Sequence, residues 1–163
     1  MQYLGVNYSI RNIPDLDPGF IPFGVWANAY RQGASKPLAI AVEREKGSIS
    51  VRNTFIHGTP EMQEADYRYV ERYVKFLLWS IGGFRVTVCG CPALTARLKA
   101  AYSEGGERDF DHTFFFQLYE RELEIIDETL ENCPAANETP KPMGGHMEGC
   151  RIGFDAGGSD RKV

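Results

Sequence analysis

The sequence predicts an α/β domain: a mixed sheet with helices packed on it. Three observations carry that expectation. Short apolar and β-branched runs at 38–43, 49–56 and 84–89 have the length and the flanking turn residues of strands. A longer run from 59 to 81 repeats its apolar residues at helical spacing. Strand-like and helix-like runs then alternate along the chain, as in a layered α/β fold. With 163 residues, 43% of them hydrophobic and 25% charged, the chain has the size and composition to bury a core without staples.

The first 37 residues carry the weakest pattern. Residues 3–8 read as one strand, and Pro14, Pro18, Gly19, Pro22 and Gly24 then interrupt regular structure. Residues 25–30 read as a short helical turn. Aromatic residues are dense here (Tyr3, Tyr8, Phe20, Phe23, Trp26, Tyr30), which suits a carbohydrate- or partner-binding loop or, the preferred reading, a cover for the edge of the core.

Residues 38–43 and 49–56 read as an antiparallel pair turned at Lys46-Gly47. Thr59-Pro60-Glu61 has the makings of a helix start: an N-cap, a proline at the first position and a carboxylate for the dipole. The helix is expected to run to about Ile81 with Tyr67, Val70, Val74, Leu77, Leu78 and Ile81 on one face. Arg68, Arg72 and Lys75 fall mostly off that face. Interleaved with Glu64, Asp66 and Glu71, they read as a solvated surface rather than a basic strip.

Gly82-Gly83 stops the helix, residues 84–89 form the next strand, and Pro92 opens a helix that points Leu94, Leu98, Ala101 and Tyr102 inward. Gly105-Gly106 is expected to end it. Residues 110–118, with the run Thr113-Phe114-Phe115-Phe116, read as a strand, and 122–126 as an edge strand of alternating charge. The domain is expected to span residues 1–131. The proline- and glycine-bearing stretch 132–149 reads as a linker, and residues 150–163 as the first hairpin of a second domain.

The net charge of −4 offers no basic field for nucleic acid or an anionic membrane. No apolar run is long enough to span a bilayer, and residues 1–11 lack a signal-peptide pattern, so a cytoplasmic location is expected. The four cysteines have neither disulfide-framework nor zinc-site spacing and read as reduced thiols. Cys89-Gly90-Cys91 ends a strand and His57 precedes a helix start; each suits a ligand site, and each reads more simply as structure.

The richest motif closes the sequence. Ile152-Gly153-Phe154 leads into Asp155-Ala156-Gly157-Gly158-Ser159. Glycines let backbone N–H groups approach a phosphate, Ser159 adds a hydroxyl donor, and Asp155 is placed to hold Mg²⁺. The simpler reading is a Gly-Gly hairpin turn.

This run resembles the first phosphate motif, Asp-x-Gly-x-(Thr/Ser), of the actin/hexokinase/Hsp70 superfamily, and more narrowly the Asp-x-Gly-Gly-Thr-Lys motif of the ROK family. The preceding segment, with Gly5-Val6-Asn7-Tyr8-Ser9-Ile10-Arg11-Asn12 and Phe55-Ile56-His57-Gly58-Thr59-Pro60-Glu61, resembles the front extension of larger bacterial ROK-like proteins. Ser159 stands for Thr and keeps the hydroxyl. Asp160 stands where ROK kinases usually have Lys and brings a negative charge toward the phosphate position.

The resemblance implies an ATP- and Mg²⁺-dependent sugar kinase-like protein. Asp155 would position the metal, and Gly157, Gly158 and Ser159 would contact the ATP phosphates. It also implies a sugar substrate. The expected order of elements before the motif, strand, strand, helix, strand, helix, strand, strand, is similar to that of a ribonuclease-H-like lobe. The residues in hand include no identifiable general base, so the chain by itself is expected to be inactive. The other expectation is a regulatory, ligand-binding or dimerising domain fused to a kinase-like body, in which a homodimer would form. Activator ATPases of radical dehydratases share the same turn.

Overall fold

A computed structural model describes residues 1–139, 144–145, 148–159 and 161–162. The N-terminal residues make a small hairpin, β1 (Gln2–Tyr3) and β2 (Val6–Asn7), not the single strand expected over 3–8. Leu4 and Gly5 both take positive φ (48° and 77°), and two such residues in succession reverse the chain with the twist a hairpin needs. After the proline-rich stretch comes α1 (Phe23–Arg31), longer than the expected turn. Its Trp26 and Tyr30 are fully buried, and the Trp26 indole N–H donates to the Tyr3 carbonyl.

The main sheet begins with β3 (Lys36–Glu43). Lys46 and Gly47, at φ 60° and 71°, turn it into β4 (Ile49–Ile56). A 3₁₀ turn at Pro60–Met62 leads into α2 (Gln63–Ile81). Thr59 therefore does not cap α2 with its side chain. Asp66, in the first turn, reaches back to accept from the His57 and Gly58 N–H groups and ties the preceding loop to the helix. The rest is β5 (Arg85–Cys89), α3 (Pro92–Ala101), α4 (Asp109–Tyr119), β6 (Glu124–Glu128) and a distal hairpin, β7 (Asp155–Ala156) and β8 (Arg161–Lys162).

The sheet runs β4-β3-β5-β6, antiparallel except for the parallel pair β5–β6, so the mixed α/β class holds. One face carries Leu38, Ile40, Val42, Val86 and Val88 and packs against residues of all four helices. On α2, Val70, Val74, Leu77 and Leu78 are buried as the periodicity requires.

The expected strand at 110–118 is helix α4. The phenylalanines favour strands locally, but a helix puts Asp111, Phe115 and Tyr119 on one side. Asp111 and Phe115 are buried there, and Glu120 ends the helix in the left-handed region at φ 53°. The glycines at 105–106 do not end α3, which stops at Ala101. They shape the turn between helices, with Gly106 pressed against the carbonyls of Ala100 and Ala101.

The second sheet face presents small residues: Ala39, Ala41, Thr87 and Cys89, all buried. Residues 129–138 cross it as a strap, from β6 on one edge to β4 on the other. Asn137 exchanges two backbone hydrogen bonds with Ile49 (3.1 and 2.9 Å) and donates its side-chain amide to the Gly47 carbonyl. Glu138 accepts from Arg44 at 2.9 Å and from the Ser50 hydroxyl. The start of the expected linker is thus bound to the domain through Glu138.

Candidate functional site

Three settings in the structure bear on function. The first is the distal hairpin. Asp155 pairs with Lys162 across β7–β8, and these two strands form a sheet of their own. Asp155, Gly157, Gly158 and Ser159 are all exposed, and a Cβ added at Gly158 would meet nothing within 4 Å. The backbone of the turn is therefore open to a large anion. Asp160 and His146 lie outside the described residues. Among the described residues no three His, Cys, Asp or Glu side chains converge as a metal cluster.

The second setting is the end of the sheet where β4 and β5 deliver their loops. His57, singled out from its place before a helix, packs edge-on to Tyr30, and its Nε2 sits 3.0 Å from the Tyr30 carbonyl. Asp66, one turn into α2, is buried. Its Oδ1 accepts from the Tyr30 hydroxyl at 2.5 Å and the His57 N–H at 3.0 Å, and its Oδ2 from the Gly58 N–H at 2.7 Å. Burial first, and then the Asp66 hydrogen bond, hold the Tyr30 hydroxyl well above the usual phenol range. Tyr69 stacks on Tyr30, and its hydroxyl shares a 2.8 Å hydrogen bond with Thr54. Both Asp66 oxygens, the Tyr30 hydroxyl and the His57 Nε2 are engaged in tying this loop to α1 and α2, a structural arrangement.

The cysteines divide by burial. Cys89 is buried, and burial followed by contact with Cys133 pushes its thiol up to about 12, so it is not a thiolate near neutral pH. Cys91 heads α3 half-buried, and Cys150 is exposed. His112 meets Glu122 at 3.2 Å.

The third setting escaped sequence reading. A groove of about 560 Å³ lies between α1 and α2, with β4 at its base. Phe23, Asn28 and Arg31 come from α1, Asn53 from β4, and Arg72, Tyr73 and Phe76 from α2. The expected solvated face of α2 is in fact sorted. Asp66 and Glu71 are buried, Glu71 against Arg108, and Glu64 is paired with Arg97 at 2.8 Å. The acids turn away from the groove, which keeps Arg72 and Lys75. A helical wheel carried the signal, because Asp66 falls in line with Val70, Val74 and Leu77. Nothing in the sequence brought Arg31 and Arg72 together.

No helix among the described residues is long and apolar enough to cross a membrane. Comparison with protein-family models, with curated proteins and with solved structures returned no match to this chain.

Proposed function

We propose that the chain is the N-terminal part of a sugar kinase-like protein of the ROK type, with an α/β domain in front of the hairpin that opens the nucleotide-binding body. The observation that carries this is the turn between β7 and β8. It follows a strand that begins at Asp155, and it exposes Gly157, Gly158 and Ser159 with no side chain crowding Gly158. That arrangement fits a phosphate and its metal. Asp155 would hold Mg²⁺, the glycine N–H groups would face the ATP phosphates, and Ser159 would donate to a phosphate oxygen. When bound, Mg·ATP supplies the phosphoryl group for a sugar hydroxyl, a reaction that depends chiefly on positioning and charge neutralisation.

The same reading takes residues 1–131 as a lobe of ribonuclease-H-like order. In its favour are the antiparallel pair β3–β4, the long helix that follows, and a further strand and helix on the same sheet face. Here β5 lies antiparallel beside β3. The distal hairpin pairs within itself, as the opening of a separate unit would.

The test is calorimetry of Mg·ATP on the chain extended through its complete second domain, beside Asp155→Ala. Binding that the substitution abolishes supports the reading. Equal binding by both proteins, or by neither, refutes it. Residues 1–163 alone are expected to show no sugar-dependent ATP turnover.

A further inference from the structure

We infer that the groove between α1 and α2 binds a phosphate monoester carried on a ring, with the phosphate held by Arg31 and Arg72 and the ring laid against Tyr73 and Phe76. This inference stands apart from the kinase reading, because no residue of the distal hairpin lines the groove.

Charge is the first argument. The groove is lined by Arg31, Arg72 and Lys75 and by no aspartate or glutamate. Lys75 is already paired with Asp111 at 2.8 Å. Among the described residues, neither Arg31 nor Arg72 is in a salt bridge. Arg31 donates only to the Asn28 side-chain oxygen, and Arg72 lies 5.8 Å from the centre of the Phe23 ring. Arg52 and Arg31 both act on the Tyr73 hydroxyl and oppose the rise that burial imposes on it. In a protein of net charge −4, two guanidinium groups free of salt bridges thus line one concavity. A cleft lined by one sign of charge focuses its field on an incoming ion of the other.

Geometry and size narrow the ion. A guanidinium offers a planar fork of N–H donors that matches a phosphate, and two forks from facing helices can share one phosphate's oxygens. The walls beside them are rings: Phe76 is 62% exposed, and Tyr73 is half-buried next to it. Exposed aromatic faces next to unpaired cations suit a ligand that is flat or ring-shaped at one end and anionic at the other. Asn28, exposed on α1 beside Arg31, offers its amide to ring hydroxyls or ring nitrogens. The volume of about 560 Å³ falls in the range of small-molecule sites. A sugar phosphate and a nucleoside monophosphate share this chemistry.

The experiment uses the 1–163 chain with glucose 6-phosphate, adenosine 5′-monophosphate, inorganic phosphate and adenosine as probes, followed by calorimetry and tryptophan emission. Trp79 lines the groove and is 47% exposed, whereas Trp26 is buried, so binding should shift the emission of Trp79. Phosphate esters should bind in the millimolar range or tighter, about tenfold or more above both inorganic phosphate and adenosine. Binding of one ester but not the other identifies the source of the ring; binding of both supports the shared chemistry. Arg31→Gln and Arg72→Gln should each weaken binding about tenfold. Asn28→Asp, which puts a carboxylate beside Arg31 on the exposed surface of the groove, should abolish it while the circular dichroism melt stays unchanged. The inference is overturned if neither ester binds at several times such concentrations, if the arginine variants or Asn28→Asp bind like the parent, or if inorganic phosphate binds as tightly as the esters.

Discussion

Replacing Asp66 by alanine should cost this domain about 2–6 kcal/mol, a figure assembled from the donors it would abandon. The carboxylate is 4% exposed and accepts three hydrogen bonds. The Tyr30 hydroxyl is fully buried and has no water to turn to, so its loss is worth roughly 1–3 kcal/mol. The His57 and Gly58 N–H groups lie in a partly exposed loop, and each should cost about 0.5–1.5 kcal/mol. All three groups left behind are neutral, so the larger penalty of stranding a buried charge does not apply. For a chain of this size the expected fall in Tm is on the order of 10 °C. The assay is urea denaturation followed by far-ultraviolet circular dichroism and tryptophan emission. Tyr30→Phe provides the second arm of a double-mutant cycle, and the coupling should be about 1–2 kcal/mol. A loss below about 1 kcal/mol for Asp66→Ala, or strict additivity with Tyr30→Phe, would refute the reasoning.

Other outcomes follow from the same geometry. Gly106→Ala drives a Cβ to 2.4 Å from the Ala100 carbonyl oxygen and should destabilise by about 2–3 kcal/mol. Gly105→Ala, at φ 71° with open space around it, should cost only about 1 kcal/mol; a reversed order in urea melts would contradict the packing described. Ending the chain after Glu128 removes the strap, and thiol labelling of Cys89 should then accelerate by about tenfold or more over the intact chain; an unchanged rate means the strap does not shield it. Glu138 is held below its usual range, by the Ser50 hydroxyl first and by Arg52 and Arg44 after it. A depressed carboxyl adds stability above its unfolded value near 4.5 and loses it as pH falls through the lower folded value. Pepsin cleavage near Leu130 should therefore begin below pH 4.5 in the parent chain and already be under way at that pH in Glu138→Gln; identical profiles would exclude this role for Glu138.

The parts of the fold that were legible are those with local rules. The strand pair around Lys46-Gly47, the long helix and the Pro92 helix each carry a period and a stop signal within their own residues. Helix α4 was misread because its three successive phenylalanines are strand formers, while the residue that decides for a helix, Asp111, acts through Lys75 and Trp79, more than thirty positions away. The strap looked like a linker because its composition is polar and proline-bearing. Its signature lay elsewhere, in the small residues Ala39, Ala41, Thr87 and Cys89, which leave room for a chain to lie close. The phosphate motif at Asp155 was visible as a motif. The groove was not, because it depends on which way each charge of α2 turns, and buried partners on other elements decide that.

The strap also has consequences for the time course of folding. Its anchoring contacts join Ser50, Gly47 and Arg44 to residues 88, 90 and 94 positions later. Contacts of such separation carry a large loop-closure cost and form late. Loss of the strap should thus quicken unfolding far more than it slows folding. On the ribosome, at about 5–20 residues per second, all four strands of the sheet are synthesised before the strap is made. During that interval the second face of the sheet stands bare. Because that face is built of alanine, threonine and cysteine rather than leucine or phenylalanine, it offers little apolar area to a neighbouring nascent chain. The small residues that let the strap lie close also make its late arrival safe.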